Sequence, residues 1–417
     1  MNSSEKCDVL VIGTGIIGAM SALYLQNAGK SVTFLERGEM ARGASAGNAG
    51  ILAFPEIIPI PAPGIMRKAP KWLIDPLGPL SVPPAYALKI MPWLWRFWQA
   101  SSPRKFQHGL AVQKNMMRLA ASEMQAVAAM PELAHHITNT GTLDLYDTKA
   151  SFDAAQKDWD EKERAGISFS RIGRADIDRL QSGLAPQFQH AVFTPAGLQV
   201  GDPYGFTRAI ADLVISRGAA LRKGEAIRVE TIGESTIVTL SNGEKLAADK
   251  VVIACGAWSK PLAASLGNAL PLETERGYNT TLPAGSFNLT RQIYFNDHAF
   301  VVTPLSSGIR VGGAVELGGL ELPANFRRSE AMLKKAGKFL PGLKTEGGKQ
   351  WMGFRPSMPD CLPVIGTSRA SSSVIYAFGH GHLGLTQSAA TAKLVTELAT
   401  GVETSISIDP FRASRFA

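Results

Sequence analysis

The chain has 417 residues, of which 45% are hydrophobic and 19% charged, with a formal net charge of +8. That length buries a large core and fits two domains, and the composition is globular rather than disordered or fibrous. The basic excess is dispersed, with no run of five or six cations, so it reads as a basic surface rather than a nucleic-acid face, and the three distant cysteines, Cys7, Cys255 and Cys361, point to neither a disulfide framework nor a metal site and fit a reducing compartment.

The first element is an apolar strand, Val9-Leu10-Val11-Ile12. It turns at Gly13-Thr14-Gly15-Ile16-Ile17-Gly18, a helix-compatible run continues to Ala28, and Gly29 stops it. A second apolar strand, Val32 to Leu35, ends on Glu36. The first glycine permits a tight turn, the second lets the backbone approach a pyrophosphate, and the third lets the helix pack closely on the strand. The helix start, with Ile16 and Ile17 in its first turn, offers N–H groups and a positive dipole end to phosphates. Glu36 is placed to accept from a ribose hydroxyl. Glycine-rich turns are common, but here strand, helix, second strand and acid all agree on a dinucleotide site.

Arg37 and Gly38 follow, then Gly43-Ala44-Ser45-Ala46-Gly47-Asn48-Ala49-Gly50. Small residues here keep side chains clear of something flat and bulky; the alternative is a flexible loop. The glycine turn starts too early for a secretory leader, and no apolar stretch approaches the roughly 20 residues that span a bilayer. The expectation is a cytoplasmic protein, soluble or peripherally attached at the inner membrane face.

Pro55 to Pro84 is proline-rich and argues against long regular elements. Leu88 to Trp98 then sets Trp93, Trp95, Phe97 and Trp98 beside Lys89 and Arg96. This pattern fits a membrane-surface helix or a helix packed on its own domain, and packing is favoured. Phe106 to Met130 has helical spacing, Thr142 to Tyr146 alternates like a strand, and Ser151 reads as the N-cap of a helix to Ala165. A helix runs from Gly201-Asp202-Pro203 to Arg217, and a strand follows around Ile227 to Glu230. Ile237 to Leu240 with Asn242-Gly243 reads as a hairpin. Val251 to Gly256 is a buried strand followed by Ala257-Trp258. Thr274 to Leu282, Gln292 to Thr303 and Ile309 to Val315 read as antiparallel strands. Ser329 to Phe339 is a short helix, and a last helix from Thr386 to Thr400 ends at Gly401. The fold class is α/β: a Rossmann-like nucleotide domain from 1–55, 196–268 and 346–417, interleaved with a mostly antiparallel (α+β) substrate domain from 56–195 and 269–345.

Ala46 to Gly50 (AGNAG), Ala254 to Trp258 (ACGAW), Gly353 to Pro356 (GFRP) and Gly379 to Gly384 (GHGHLG) come in the order seen in the D-amino acid oxidase superfamily. Within it, the chain most resembles the bacterial D-amino acid dehydrogenase small subunits, whose proline-rich stretch Pro55 to Gly64 also resembles. The resemblance implies FAD and a flavin-linked oxidation at an amine carbon. It places Gly13, Gly15, Gly18, Glu36 and Arg37 on the adenosine and pyrophosphate, and Val229 on the adenine through its backbone. Ser45, Asn48, Ala49 and Gly50 would lie near the flavin ring, with Gly256 and Trp258 also at the cofactor. Gly379, His380, Gly381, His382, Leu383, Gly384 and Thr386 would line the pyrimidine end. Helix-start amides there stabilise negative charge on reduced flavin.

Arg355 resembles the arginine that holds the substrate carboxylate. A guanidinium forks onto a carboxylate and fixes the Cα–H over the flavin; the alternative is a surface arginine. Tyr278 is a candidate second anchor, and His382 is a candidate titratable group. No Ser/His/Asp set, paired carboxylates or metal cluster stands out, which fits a superfamily whose substrate loses hydride directly to flavin. Two departures stand against broad D-alanine specificity: AGNAG replaces the commoner FANAG, and His382 stands where a small residue is usual. The form with His382, GHGHLGLT, resembles relatives acting on cyclic imino acids, such as D-proline or cis-4-hydroxy-D-proline. The expected partners are that small molecule and an electron acceptor such as quinone, with no nucleic acid. The rival readings are an O₂-using oxidase of glycine or sarcosine type, an RNA-associated flavoprotein, and a non-catalytic subunit.

Overall fold

The computed structural model describes residues 7–65, 80–232 and 235–416. Two sheets organise them. In the first, Val374–Phe378, Lys245–Ile253, Cys7–Ile12, Val32–Glu36 and Ala220–Lys223 lie side by side and parallel. Val364–Thr367 adds antiparallel beyond Val374–Phe378, and the hairpin Ala226–Ile232 and Ser235–Leu240 pairs with the first half of Lys245–Ile253. That long strand joins the hairpin and the buried strand read separately from sequence.

The helix Ile16–Asn27 is buried along most of its length and packs with Pro203–Ser216 and the C-terminal helix Gly384–Thr400. Its near-continuous apolar character is what a helix enclosed between layers requires. Gly13 has φ +99°, and a Cβ on Gly18 would lie 1.9 Å from the Gly13 carbonyl oxygen, so this turn admits no side chain at either place. Gly401, at φ 76°, closes the last helix in the left-handed cap its position predicts.

The second sheet is ordered Lys349–Ser357, Glu273–Leu282, Gly308–Glu316, Phe300–Leu305, Gln292–Phe295, Thr142–Tyr146, His190–Thr194 and Ser170–Gly173. It is antiparallel except where Gln292–Phe295 runs parallel to Thr142–Tyr146 and Leu80–Ser81 runs parallel to Gly308–Glu316. Lys349–Ser357, which the sequence reading groups with the nucleotide segment 346–417, hydrogen-bonds along Glu273–Leu282 in this sheet. Conversely Pro103–Ala128, grouped with the substrate segments, buries Met116, Met117, Ala120 and Met124 and packs with the C-terminal helix.

Several local expectations change. The helix Lys149–Arg164 is capped by Thr148, not Ser151: the Thr148 side chain accepts from Ser151 N, and Ser151 reciprocates as the third residue of the box. The stretch Gln292 to Thr303 is two strands, because a turn at Asn296–His298 and Ala299 at φ 51° reverses the chain. The proline-rich segment is turns over 55–65, while 66–79 lies outside the described residues. The tryptophan helix, Ala87–Ala100, is two-faced. Ile90 and Trp93 are buried, but Leu88, Met91, Trp95 and Trp98 are 88%, 57%, 57% and 47% exposed. The packing expected of this cluster therefore holds for one face only.

Candidate active site

A cavity of about 1010 Å³ opens between the two sheets. That is the upper end of the roughly 300–1,000 Å³ usual for small-molecule sites, so it has room for a ligand much larger than an amino acid.

The first sheet and its turns supply Gly13, Gly15, Ile16, Ile17, Glu36, Arg37, Gly256 and Trp258. Glu36 is held in advance of any ligand. Its Oε2 accepts from Thr14 N at 2.9 Å and Thr14 Oγ1 at 2.7 Å, and its Oε1 accepts from Gly38 N at 3.0 Å. The Arg37 guanidinium stacks 4.2 Å over the Trp258 ring. Not every helix-start amide is free: Ile16 N donates to Ser45 Oγ at 2.9 Å, which ties the small-residue loop to the helix.

That loop is fixed rather than flexible. Asn48 Nδ2 donates to Ser45 O at 2.8 Å and Asn48 Oδ1 accepts from Gly50 N at 2.8 Å. Asn279 Nδ2 donates to Gly47 O at 2.8 Å, and Arg310 Nη1 donates to Asn48 O. A Cβ on Gly47 would sit 2.3 Å from the Trp351 ring, so the loop must be bare where the strand Lys349–Ser357 approaches. Ser45, Asn48 and Ala49 line the cavity; Gly50 does not, and its φ of +73° serves the turn against Val200.

From the second sheet come Tyr278, Tyr294, Arg310, Trp351 and Arg355, with Glu275 behind them. Arg355 Nη1 donates to Ala314 O at 3.1 Å. Burial pulls its guanidinium below its ordinary pKa and Glu275, its partner across the ladder, opposes that shift. A Cβ on Gly277 would lie 2.3 Å from Arg355 Nη2, so this glycine makes the room the guanidinium occupies. Burial likewise lowers Arg310, to about 10. Tyr278 is not a free anchor. Its hydroxyl donates to Glu316 Oε1 at 2.8 Å and accepts from Asn325 N at 3.0 Å, beside the buried Arg276–Glu316 ion pair at 2.7 Å. The ring is structural at its polar end. Tyr294, whose hydroxyl has no hydrogen bond among the described residues, borders the same cavity.

The C-terminal turn divides between roles. His380, Gly381, His382 and Gly384 line the cavity. His380 Nε2 meets Thr391 Oγ1 at 2.9 Å, and burial pushes its imidazole down to about 3, so it is a neutral core group. The His382 ring turns its free surface to the cavity. Burial lowers its pKa most and Arg355 adds to that, while Glu275 and Glu56 oppose. Gly379 (φ +86°) and Leu383 serve packing: a Cβ on Gly379 would meet Met358 at 2.8 Å, and Leu383 sits in the core. Thr386 lies off the cavity, its Oγ1 accepting from Ala53 N at 3.0 Å.

Gly18 and Val229 also lie off it. Ser265 Oγ occupies both polar groups of the Val229 backbone, at 3.2 and 3.3 Å, and Gly224 to Ile227 form the cavity wall instead. Sequence reasoning missed Glu56, Glu275, Tyr294, Arg310 and Trp351. The alternation Trp351, Gly353, Arg355 on one strand face was a signal for Trp351; the others are brought in by tertiary pairing alone. The fixed Glu36 carboxylate, the bare turn at Gly13 and the volume fit an FAD. Among the described residues no cluster of His, Cys, Asp and Glu fits a metal ion.

Residues 8–398 match the family described as DAO, FAD dependent oxidoreductase. A D-amino-acid oxidase of Bradyrhizobium diazoefficiens is 33% identical over 425 positions, which cover 99% of each chain. In fold, the chain resembles glycine oxidase from Geobacillus kaustophilus, with a TM-score of 0.77, 22% identity, and 98% and 99% of the two chains covered. It also resembles L-proline dehydrogenase from P. horikoshii, with a TM-score of 0.75, 18% identity, and 99% and 98% covered.

Proposed function

Because the chain belongs to the DAO family of FAD dependent oxidoreductases and so oxidises amino acids with FAD, we propose that its substrate is a D-amino or D-imino acid, with D-proline or cis-4-hydroxy-D-proline favoured. The observation that carries this reading is Arg355, a half-buried arginine lining the cavity in space cleared by Gly277. Such a group binds a carboxylate in two parallel charged hydrogen bonds and sets the orientation of the attached Cα. Bound FAD supplies the acceptor for the hydride leaving that carbon. The protein's own part is to grip the carboxylate, exclude water with Trp351, Tyr294 and the rigid loop at Gly47, and hold one face of Cα toward the cofactor. The D series is supported by the resemblance and by the 33% identical D-amino-acid oxidase; the cyclic imino acid rests on His382 at the cavity wall. The test is anaerobic mixing with a panel of D- and L-amino and imino acids while following flavin bleaching. Bleaching by L-acids alone would overturn the assignment.

The electrons are proposed to pass to a quinone, with the chain attached peripherally to the membrane. No helix among the described residues is long and apolar enough to cross one. The exposed stripe Leu88, Met91, Trp95 and Trp98 recurs at helical spacing, beside Lys89, Arg96, Arg104 and Lys105, and no carboxylate occurs from Leu80 to Ser122. Apolar and aromatic side chains flanked by cations match an anionic interface. Reduction of O₂ is the second reading, favoured by the similarity to a D-amino-acid oxidase. Peroxide release on aeration of the reduced protein separates the two.

A further inference from the structure

Five carboxylates border the cavity: Glu36, Glu39, Glu56, Glu225 and Glu275. Four are engaged. Glu36 is held by Thr14, Glu39 accepts from the Tyr204 hydroxyl at 3.0 Å, and Glu225 pairs with Arg37 at 3.3 Å. Glu275 is nearly buried, accepts from Ser357 Oγ at 2.6 Å, and stands opposite Arg355 in the ladder. Glu56 differs. Its Oε1 is 3.4 Å from Lys162 Nζ, and its Oε2 accepts no hydrogen bond among the described residues.

The Glu56 backbone is anchored, with its N–H donating to Ala53 O at 3.0 Å and its carbonyl accepting from Gln113 Nε2 at 3.4 Å. Lys162 anchors the side chain from behind. Only 9% of the lysine side chain is exposed, and its ammonium lies 4.3 Å over the Trp159 ring. Burial opposes the lysine's charge, but Glu56 and Asp144 outweigh it and raise its pKa. Behind Glu56 a second chamber of about 20 Å³ is lined also by Asp144, Thr194 and Tyr294. That is room for about one water, and the buried Thr194 Oγ1 has no hydrogen-bond partner among the described residues.

We propose that Glu56 receives a positively charged nitrogen of the substrate, held in place for that task by Lys162. The inference rests on the amino acid reading above and adds the second half of zwitterion recognition. Arg355 meets the carboxylate, Glu275 is buried opposite Arg355, Glu225 is paired with Arg37 beside Trp258, and the remaining carboxylate with an open oxygen is Glu56, whose side chain is 35% exposed. Glu56, Glu275, Arg355 and His382 all line the one cavity. The nitrogen is the α-nitrogen or one on the side chain, and ligands with one and two nitrogens tell these apart.

The experiment uses FAD-loaded protein reduced with dithionite, so that ligands bind without being oxidised. Calorimetry then gives Kd for D-proline, D-lysine and propionate on wild type, Glu56→Gln and Glu56→Asp, with FAD content as the folding control. Loss of one charged contact weakens Kd by about 10- to 100-fold. That loss is expected for zwitterions on Glu56→Gln, with propionate changed by less than about 3-fold and Glu56→Asp intermediate. Weakening of D-proline assigns the α-nitrogen; weakening of D-lysine alone assigns the side-chain nitrogen. Equal weakening of all three ligands, unchanged binding of both zwitterions, or a wild type that binds neither overturns the proposal. A selective loss on Glu56→Gln in a protein whose oxidised flavin no amino acid bleaches would keep Glu56 and remove the oxidation reading instead.

Discussion

Replacing Arg355 tests the substrate assignment most directly. The arginine is half-buried, donates to Ala314 O, and faces Glu275 across the strand pair. A charged hydrogen bond contributes about 1.5–3 kcal/mol, so a bidentate grip contributes on the order of 3–6 kcal/mol. Arg355→Ala is therefore expected to lower kcat/KM by about 10²- to 10⁴-fold. Arg355→Lys keeps the charge but not the fork, and about 10- to 100-fold is expected. Gly277→Ala perturbs the same group without replacing it. The new Cβ would lie 2.3 Å from Nη2 and must push the guanidinium aside, so KM should rise while FAD stays bound. The assay is anaerobic stopped-flow flavin reduction with D-proline and other D-amino acids, with the FAD-to-protein ratio measured in each variant. Equal reduction rates in wild type and Arg355→Ala would remove Arg355 from the site. Loss of FAD in step with loss of rate would mean that the arginine supports the fold and not the substrate.

Glu36→Ala strips Thr14 N and Oγ1 of their acceptor and removes the proposed ribose partner, so FAD affinity should fall by about 10- to 100-fold; the check is flavin content after gel filtration, with acid precipitation expected to release all of it as noncovalent FAD. His380 is held neutral with its imidazole near 3, below the unfolded value of 6.5, so the unfolded chain takes up the proton first and stability falls as pH drops below about 6.5. By pH 4.5 the loss is on the order of 2–3 kcal/mol, and His380→Gln should lose less between pH 7.5 and 4.5; the same fall in both proteins refutes the linkage. Charge reversal at Lys89 and Arg96, or Trp95→Ser with Trp98→Ser, should abolish salt-sensitive sedimentation with anionic liposomes. Wild type that stays in the supernatant at low salt would refute membrane attachment.

Local physics decides the nucleotide half almost alone. A strand, a turn bare at Gly13 and Gly18, an enclosed helix and a second strand ending in an acid are all fixed within residues 8–36, where side-chain size and backbone conformation leave one solution. The FAD assignment became legible through the family resemblance carried by the motifs at Gly256, Arg355 and His380, added to that unit. What stayed hidden depends on partners far apart in the chain. Val229 reads as an adenine contact until Ser265, 36 residues on, is seen to occupy its backbone. Tyr278 reads as an anchor until Glu316 and Asn325 claim its hydroxyl. Glu56 carries no sequence signal, because its meaning comes from Lys162, 106 residues away, and from the cavity both sheets enclose. Even the tryptophan helix shows which face is free only once Leu317 and its neighbours have covered Ile90 and Trp93. Periodicity and turn chemistry act within a few residues, whereas hydrogen-bond saturation and burial are set by whatever the fold brings alongside.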